Sequence, residues 1–429
     1  MSTQIILPKT PAAALVGKRE PASAKRLLHA RHHVVAPSLR LAETAAGAVF
    51  GAARLRGPIA RDTIASVTGL SIATVNRQVT ALLEAGVLRE RADLAVSGAI
   101  GRPRVPVEVN HEPFLTLGLH IGARVTSIVA TDLLGRTLDV VETPTPQGPQ
   151  NAALAALAGS ARRYLGRWHR RKALWVGVAA GGVIDTTTGY FDHARLGWSD
   201  APVGPVLAEA LGLPVSVASH VDAMAGAELL LGVRRSSAPT ATGLYVYARE
   251  TVGYALSIGG RVHSPASGPG TIAALPAQSE LLGNTGQLES TVSDEAVLNA
   301  ARKLQIVPAE GPSSNIAAVL RLARQGHAGA HALLAERARV LGHAVAILRD
   351  LLNPDDVVLG GQAFTEYPEG MELVEAAFEE RSVLGRRDIR VTAFGNRVQE
   401  AGAGVVSLGG LYADPVAAMR RAQRSESTA

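Results

Sequence analysis

Between Ser71 and Glu84 the chain reads Ser-Ile-Ala-Thr-Val-Asn-Arg-Gln-Val-Thr-Ala-Leu-Leu-Glu. Val75, Val79, Leu82 and Leu83 recur at helical intervals, which predicts one buried stripe. Ala73, Arg77 and Thr80 then fall on the opposite side, with Thr74, Asn76 and Gln78 on the flanks. These side chains suit the edges of base pairs. Arg77 can donate two hydrogen bonds to guanine, Asn76 or Gln78 can pair with adenine, and the Ala73 methyl can meet that of thymine. A bidentate pair of this kind discriminates by about 1–3 kcal/mol. Ser71 has the type and place of an N-cap, and the N–H groups of a helix start suit a phosphate. A second signal is Gly101-Arg102-Pro103-Arg104. Two guanidinium groups, Arg102 and Arg104, on a stiff and narrow turn fit a minor groove.

Such side chains need a frame. A helix is predicted over 41–55, broken by Gly57-Pro58, then a short helix over 61–67. Thr68-Gly69-Leu70 turns the chain, Ser71 starts a helix over 72–85, and Gly86 ends it. Strand-like segments follow at 87–91 and 104–109. Helix, helix, turn, helix, hairpin is the order of a winged helix-turn-helix, here spanning 37–110. Residues 1–110 carry 15 Lys and Arg against 7 Asp and Glu, while the remainder carries 28 against 30. A basic front on a faintly acidic body points to double-stranded DNA as a partner. Residues 1–36 are expected to be a disordered tail, and 414–429 a C-terminal tail. His29, His32 and His33 have no carboxylate nearby and are read as a solvated patch, not a metal site.

From Leu115 strands alternate with helices, which predicts an α/β body over 111–413. A hairpin-rich unit restarts near Leu244, so two similar lobes with a cleft between them are expected. The chain has 429 residues, 47% of them hydrophobic, enough for more than one core. It contains no Cys, which excludes disulfides, Fe–S clusters and Cys-ligated zinc. No apolar run reaches the roughly 20 residues of a membrane span, and no secretory h-region is visible. No membrane association and a cytoplasmic location are therefore expected.

The ordered fragments resemble one family. Thr68 to Val75, Leu82 to Leu88 and Gly101-Arg102-Pro103 resemble the winged-helix half of the ROK family (repressors, open reading frames, kinases). Gly118 to Gly135, Gly197-Trp198, Leu213-Pro214-Val215, Ala223 to Glu228, Gly283 to Glu289 and Leu352-Asn353-Pro354 to Gly360-Gly361 resemble its body. The resemblance covers about 40–412. It implies an N-terminal winged helix-turn-helix followed by a two-lobed, actin-like, sugar-kinase-like ROK domain. In the family's enzymes an Asp-x-Gly hairpin and a Gly-rich hairpin hold ATP phosphates, an Asn-Asp pair supplies the base, and Glu and His elements serve the sugar and a zinc. The family's repressors keep the body as a sugar sensor.

This chain departs from the kinase pattern. His120 stands for the hairpin Asp, Ser219-His220 for the Asn-Asp pair, and Arg195 for an Asn. The Gly-rich turn reads Ala248-Arg249-Glu250-Thr251-Val252-Gly253, and the sugar and zinc positions fall at Thr271 and Ala274. Phosphoryl transfer needs a phosphate cradle, Mg²⁺ and a base on the attacking hydroxyl. The expectation is therefore a regulator, read as a repressor of carbohydrate-related genes, without catalytic residues, metal or cofactor. The alternative is a sugar kinase with an added basic domain. Arg195, Ser219, His220 and Asp222 are the candidate ligand residues. Arg195 and His220 suit an anionic sugar as effector, and the competing reading is a vestigial cleft. A homodimer or homotetramer is expected, with the helices at 41–55 and 331–352 as candidate interface elements.

Overall fold

The computed structural model describes residues 33–94, 105–232, 241–265, 268–283, 286–384 and 389–428. The head contains α1 (Ala45–Arg56), α2 (Arg61–Thr68) and α3 (Ile72–Glu84), then β1 (Leu88–Glu90) and β2 (Val107–Val109). The two strands pair antiparallel with Leu88 opposite Val109, and Ile59 bridges to Val107. Val49, Phe50, Ile64, Val75, Val79, Leu82, Val87 and Val107 form its buried core. Burying each such side chain contributes about 1.5–3 kcal/mol before the entropy cost. Gly69, at φ 69°, ends α2 in a left-handed conformation that a side chain would strain. The first helix starts at Ala45, later than expected, because the Thr44 hydroxyl accepts the Gly47 N–H at 3.0 Å and fixes the cap there.

The first lobe is built on β3 (Phe114–Ile121), β4 (Val125–Thr131), β5 (Thr137–Pro144), β6 (Lys172–Ala180) and β10 (Val215–Ser219). Their order in the sheet is β10-β6-β3-β4-β5. Helix α4 (Gln150–Gly166) precedes β6, a small sheet of β7 (Val183–Asp185), β8 (Tyr190–His193) and β9 (Trp198–Ala201) follows it, and α5 (Val203–Leu211) leads to β10. Helix α6 (His220–Leu230) continues directly from β10.

The second lobe repeats the plan. The hairpin of β11 (Thr242–Ala248) and β12 (Val252–Ile258) is antiparallel, as are β3 and β4. Its sheet runs from the edge strand β13 (Arg261–His263) through β12 and β11 to two parallel strands, β17 (Asp356–Gly360) and β18 (Ile389–Val391); the short β14 (Gly270–Thr271) pairs with β12, and β15 (Pro276–Ala277) with β16 (Gly286–Gln287). Helices α7 (Leu288–Val292), α8 (Asp294–Lys303), α9 (Ile316–Arg324) and α10 (Ala328–Leu352) lie between β12 and β17 in the chain, and α11 (Gln362–Thr365) and α12 (Gly370–Arg381) between β17 and β18. Helix α13 (Val398–Ala413) then returns to the first sheet. It sits very close, because Gly118 and Gly177 face its backbone. A Cβ on Gly177 would lie 2.3 Å from the Ser407 nitrogen.

Two sequence expectations are corrected. The tail assigned to 1–36 extends too far, since Val34 is buried and Val35 donates to the Val215 carbonyl at 2.8 Å. The tail assigned to 414–429 is a helix, α14 (Pro415–Thr428), that buries Ala418, Met419 and Ala422 among head and body residues. Its small apolar residues at helical spacing, among many polar ones, made it look frayed. Helix α1 packs on α3, α13 and α14, and α10 packs on α12 and α9. Among the described residues no helix is long and apolar enough to cross a membrane.

Candidate functional site

Helix α3, the third of the head, presents the expected surface. Ser71, Ala73, Asn76, Arg77 and Thr80 are exposed, Thr74 and Gln78 are half-buried, and Val75 and Val79 point into the core. Ser71 caps the helix by accepting the Thr74 N–H at 3.2 Å. Arg77 makes no ion pair with any described residue. Arg61, at the start of α2, donates to Glu90 at 3.2 Å and lies 3.5 Å from the Asn76 side-chain oxygen. The wing behaves differently. Glu108 accepts from both Arg89 at 2.7 Å and Arg91 at 3.0 Å, so these two guanidinium groups are held by the protein itself. Arg102 and Arg104 lie outside the described residues.

Three imidazoles gather where the two lobes meet. His120 is the penultimate residue of β3, His193 ends β8, and His220 opens α6. The rings of His120 and His220 stand 6.3 Å apart, and His220 lies 5.2 Å from the Tyr247 ring. Gly181 passes between them, since a Cβ there would lie 3.3 Å from His220 and 3.5 Å from His193. Burial, helped by neighbouring His220 and Arg249, pushes His120 down to about 3. Burial and His193 push His220 down to about 4. Burial lowers His193 as well. All three are neutral at physiological pH. The Nδ1 atoms of His120 and His193 are buried without a hydrogen-bond partner.

The remaining candidate ligand residues are engaged elsewhere. Arg195 crosses the cleft to the Glu250 carboxylate at 3.2 Å and its carbonyl at 3.0 Å. The Ser219 hydroxyl caps α6 by accepting the Asp222 N–H at 3.1 Å. Asp222 is buried and hydrogen-bonds Ser264 beyond β13; burial pushes its carboxyl up to about 6. Arg195 is thus already paired with Glu250, and burial lowers the pKa of His220, which matches the vestigial-cleft reading of these two residues more closely than the anion-binding one. Sequence reasoning also missed His193 and the part played by Glu250. His193 is two residues from Arg195, but only the folded β8 brings its ring to His220.

The turn after β11 is held from below. Arg337 of α10, almost fully buried, donates to the Arg249 carbonyl at 3.1 Å and to Asp294 at 2.7 Å. The Arg249 side chain reaches Gln399 at 3.1 Å, and Gln399 donates to the Tyr247 hydroxyl at 3.0 Å. Side chains thus fill the turn where a phosphate would need bare backbone. No group of three or more metal-ligating side chains occurs among the described residues.

The sequence profile of the ROK family matches residues 116–406. The chain belongs to the ROK family. Transcriptional regulator Rv0485 of Mycobacterium tuberculosis is 72% identical over 404 residues, 92% of each chain. The N-acetylglucosamine repressor of Escherichia coli O157:H7 is 24% identical over 321 residues, 71% of this chain and 77% of that one. A crystal structure described as a ROK family transcriptional regulator, homolog of the E. coli MLC protein, superposes with a TM-score of 0.72 at 20% identity, covering 88% of this chain and 98% of that one. The ROK hexokinase of Thermus thermophilus aligns over 68% of this chain and 98% of its own, with a TM-score of 0.55 at 25% identity. The regulator structure thus extends over the head as well as the ROK body, whereas the hexokinase match covers a smaller share of the chain.

Proposed function

We propose that this ROK chain is a sequence-specific transcriptional regulator that grips duplex DNA through α3 and carries a sensor body without kinase activity. The single observation that carries the reading is the exposed, uncompensated Arg77 face of a capped helix whose other face is the core of the head. Basic charge gathered in the first 110 residues supports it, as do relatives named transcriptional regulator at 72% identity. The body is not an enzyme. Its cleft offers neutral imidazoles and paired charges where phosphoryl transfer needs Mg²⁺ ligands and a free base.

The imidazoles of His120, His193 and His220, where the lobes meet, are the place where an effector would bind. Their neutrality favours an uncharged, polyhydroxylated ligand of the carbohydrate class over an anionic one. Repression, and assembly as a dimer on paired half-sites, are read from the family's regulators. The test is enrichment of genomic duplex fragments by the purified full-length protein, with and without neutral sugars. Recovery of one shared sequence, altered by a sugar, supports the reading. Recovery of fragments without a common sequence contradicts it.

A further inference from the structure

Residues 34–41 run across the edges of both lobes. Val34 bridges to Val215 in parallel register, and Val35 donates to the Val215 carbonyl at 2.8 Å, so this end extends the first sheet beyond β10. Arg40 bridges to Arg261 in antiparallel register. Val262 donates to the Leu39 carbonyl at 2.9 Å, and Leu41 to that of Gly260 at 2.8 Å, so the other end extends the second sheet beyond β13.

The seat is built for it. A Cβ on Gly189 or Gly204 would lie 3.0 Å or 3.2 Å from Val34, and one on Gly226 would lie 2.9 Å from Leu39. One on Gly260 would reach Leu41 at 2.8 Å, and one on Gly409 the Ser38 carbonyl at 2.2 Å. Five glycines from separate places in the chain thus leave room for one extended segment. Val34 and Leu39 are its buried anchors.

The segment enters the head at once. Thr44 caps α1 and donates to the Ala413 carbonyl at 3.0 Å. Arg54 lies 4.5 Å above the Tyr412 ring and donates to the Leu230 carbonyl at 2.9 Å. The head is thereby docked on the ends of α13 and α6, and its chain emerges from the strap.

We propose that residues 34–41 are a strap tying both lobes to the head, so that the angle between the lobes sets where the head sits. Six residues separate the backbone anchors at Val35 and Leu41, a reach of at most about 20–22 Å when fully extended. A change in lobe angle must either slide the strap, release one set of its edge bonds, or shift α1. The segment is therefore the mechanical link by which a ligand in the cleft alters the head. As a device for DNA control this rests on the proposed function; as a tether it stands on geometry alone.

The absence of Cys makes the test clean. Spin labels on the full-length protein at Glu209→Cys and Glu375→Cys read the distance between lobes. Labels at Leu55→Cys and Glu375→Cys read head to second lobe. Each pair is measured with the native strap, with Val34→Asn, and with Leu39→Asn; Leu39→Ala replaces Leu39→Asn if the polar variant does not fold. Either anchor variant is expected to broaden both distance distributions together and to change duplex affinity by about fivefold or more. Unchanged distances would overturn the strap. So would a broadened lobe distance with an unchanged head distance. Broadened distances with unchanged affinity would overturn its role in DNA control. If the wild type selects no duplex, the DNA reading fails, and the two distance measurements still decide the strap.

Discussion

At the scale of single residues, the cleft imidazoles make a pH dependence that can be signed. An unfolded His takes a proton near its ordinary 6.5, whereas His120 and His220 stay neutral until about 3 and 4. Between pH 7 and 4 the unfolded chain binds more protons, so stability falls as pH falls. Asp222, raised from 3.8 to about 6, acts in the opposite direction over pH 6 to 4. With His193 also lowered, and Glu400 raised by burial like Asp222, three imidazoles oppose two carboxyls, and the net expectation is acid destabilisation. Urea melts at pH 7 and pH 5 check it: the midpoint should fall, and His220→Gln should make the fall shallower. Residues on one short element were the ones legible beforehand. Ala73, Arg77 and Thr80 are exposed as expected because the stripe at Val75 and Val79 fixes the opposite side of a single helix. The partner of Arg195, Glu250, was not legible because it lies 55 residues away and no local pattern joins them.

At the scale of elements, the α/β character of the body and the restart of a hairpin-rich lobe near Leu244 followed from alternation and turn residues, whereas α8, α12, β18 and α13 were not read from the sequence. What escaped was structure stabilised by distant contacts. Residues 34–41 have no periodicity of their own and become extended only by adding to two sheet edges. Helix α14 is polar overall, yet it closes the head from below with Met419, Ala418 and Ala422. Met419→Ala should cost about 2–5 kcal/mol, the range for emptying a buried Met site. Chemical denaturation followed by amide exchange in α1 checks this. The loss should appear as earlier exchange in the head. A loss confined to the second lobe would place the helix's role elsewhere.

At the scale of the whole molecule, the body keeps the two-lobed architecture of its kinase relatives without their chemistry. The β11–β12 turn is filled by Arg249 and by Glu250, which pairs with Arg195, while Arg337 fixes it from beneath. A coupled ADP assay with neutral hexoses and Mg²⁺ should show no turnover above the protein-free rate. In the proposed reading the body senses a ligand and places the head. The most direct check of that assignment is a titration of wild-type and Arg77→Ala protein against the enriched duplex and against versions changed at single base pairs. The wild type should prefer the enriched sequence, and Arg77→Ala should lose about 1–3 kcal/mol of discrimination at one base pair while keeping it at the others. Equal weakening on every duplex, or no change on any, would contradict a base-reading role for α3.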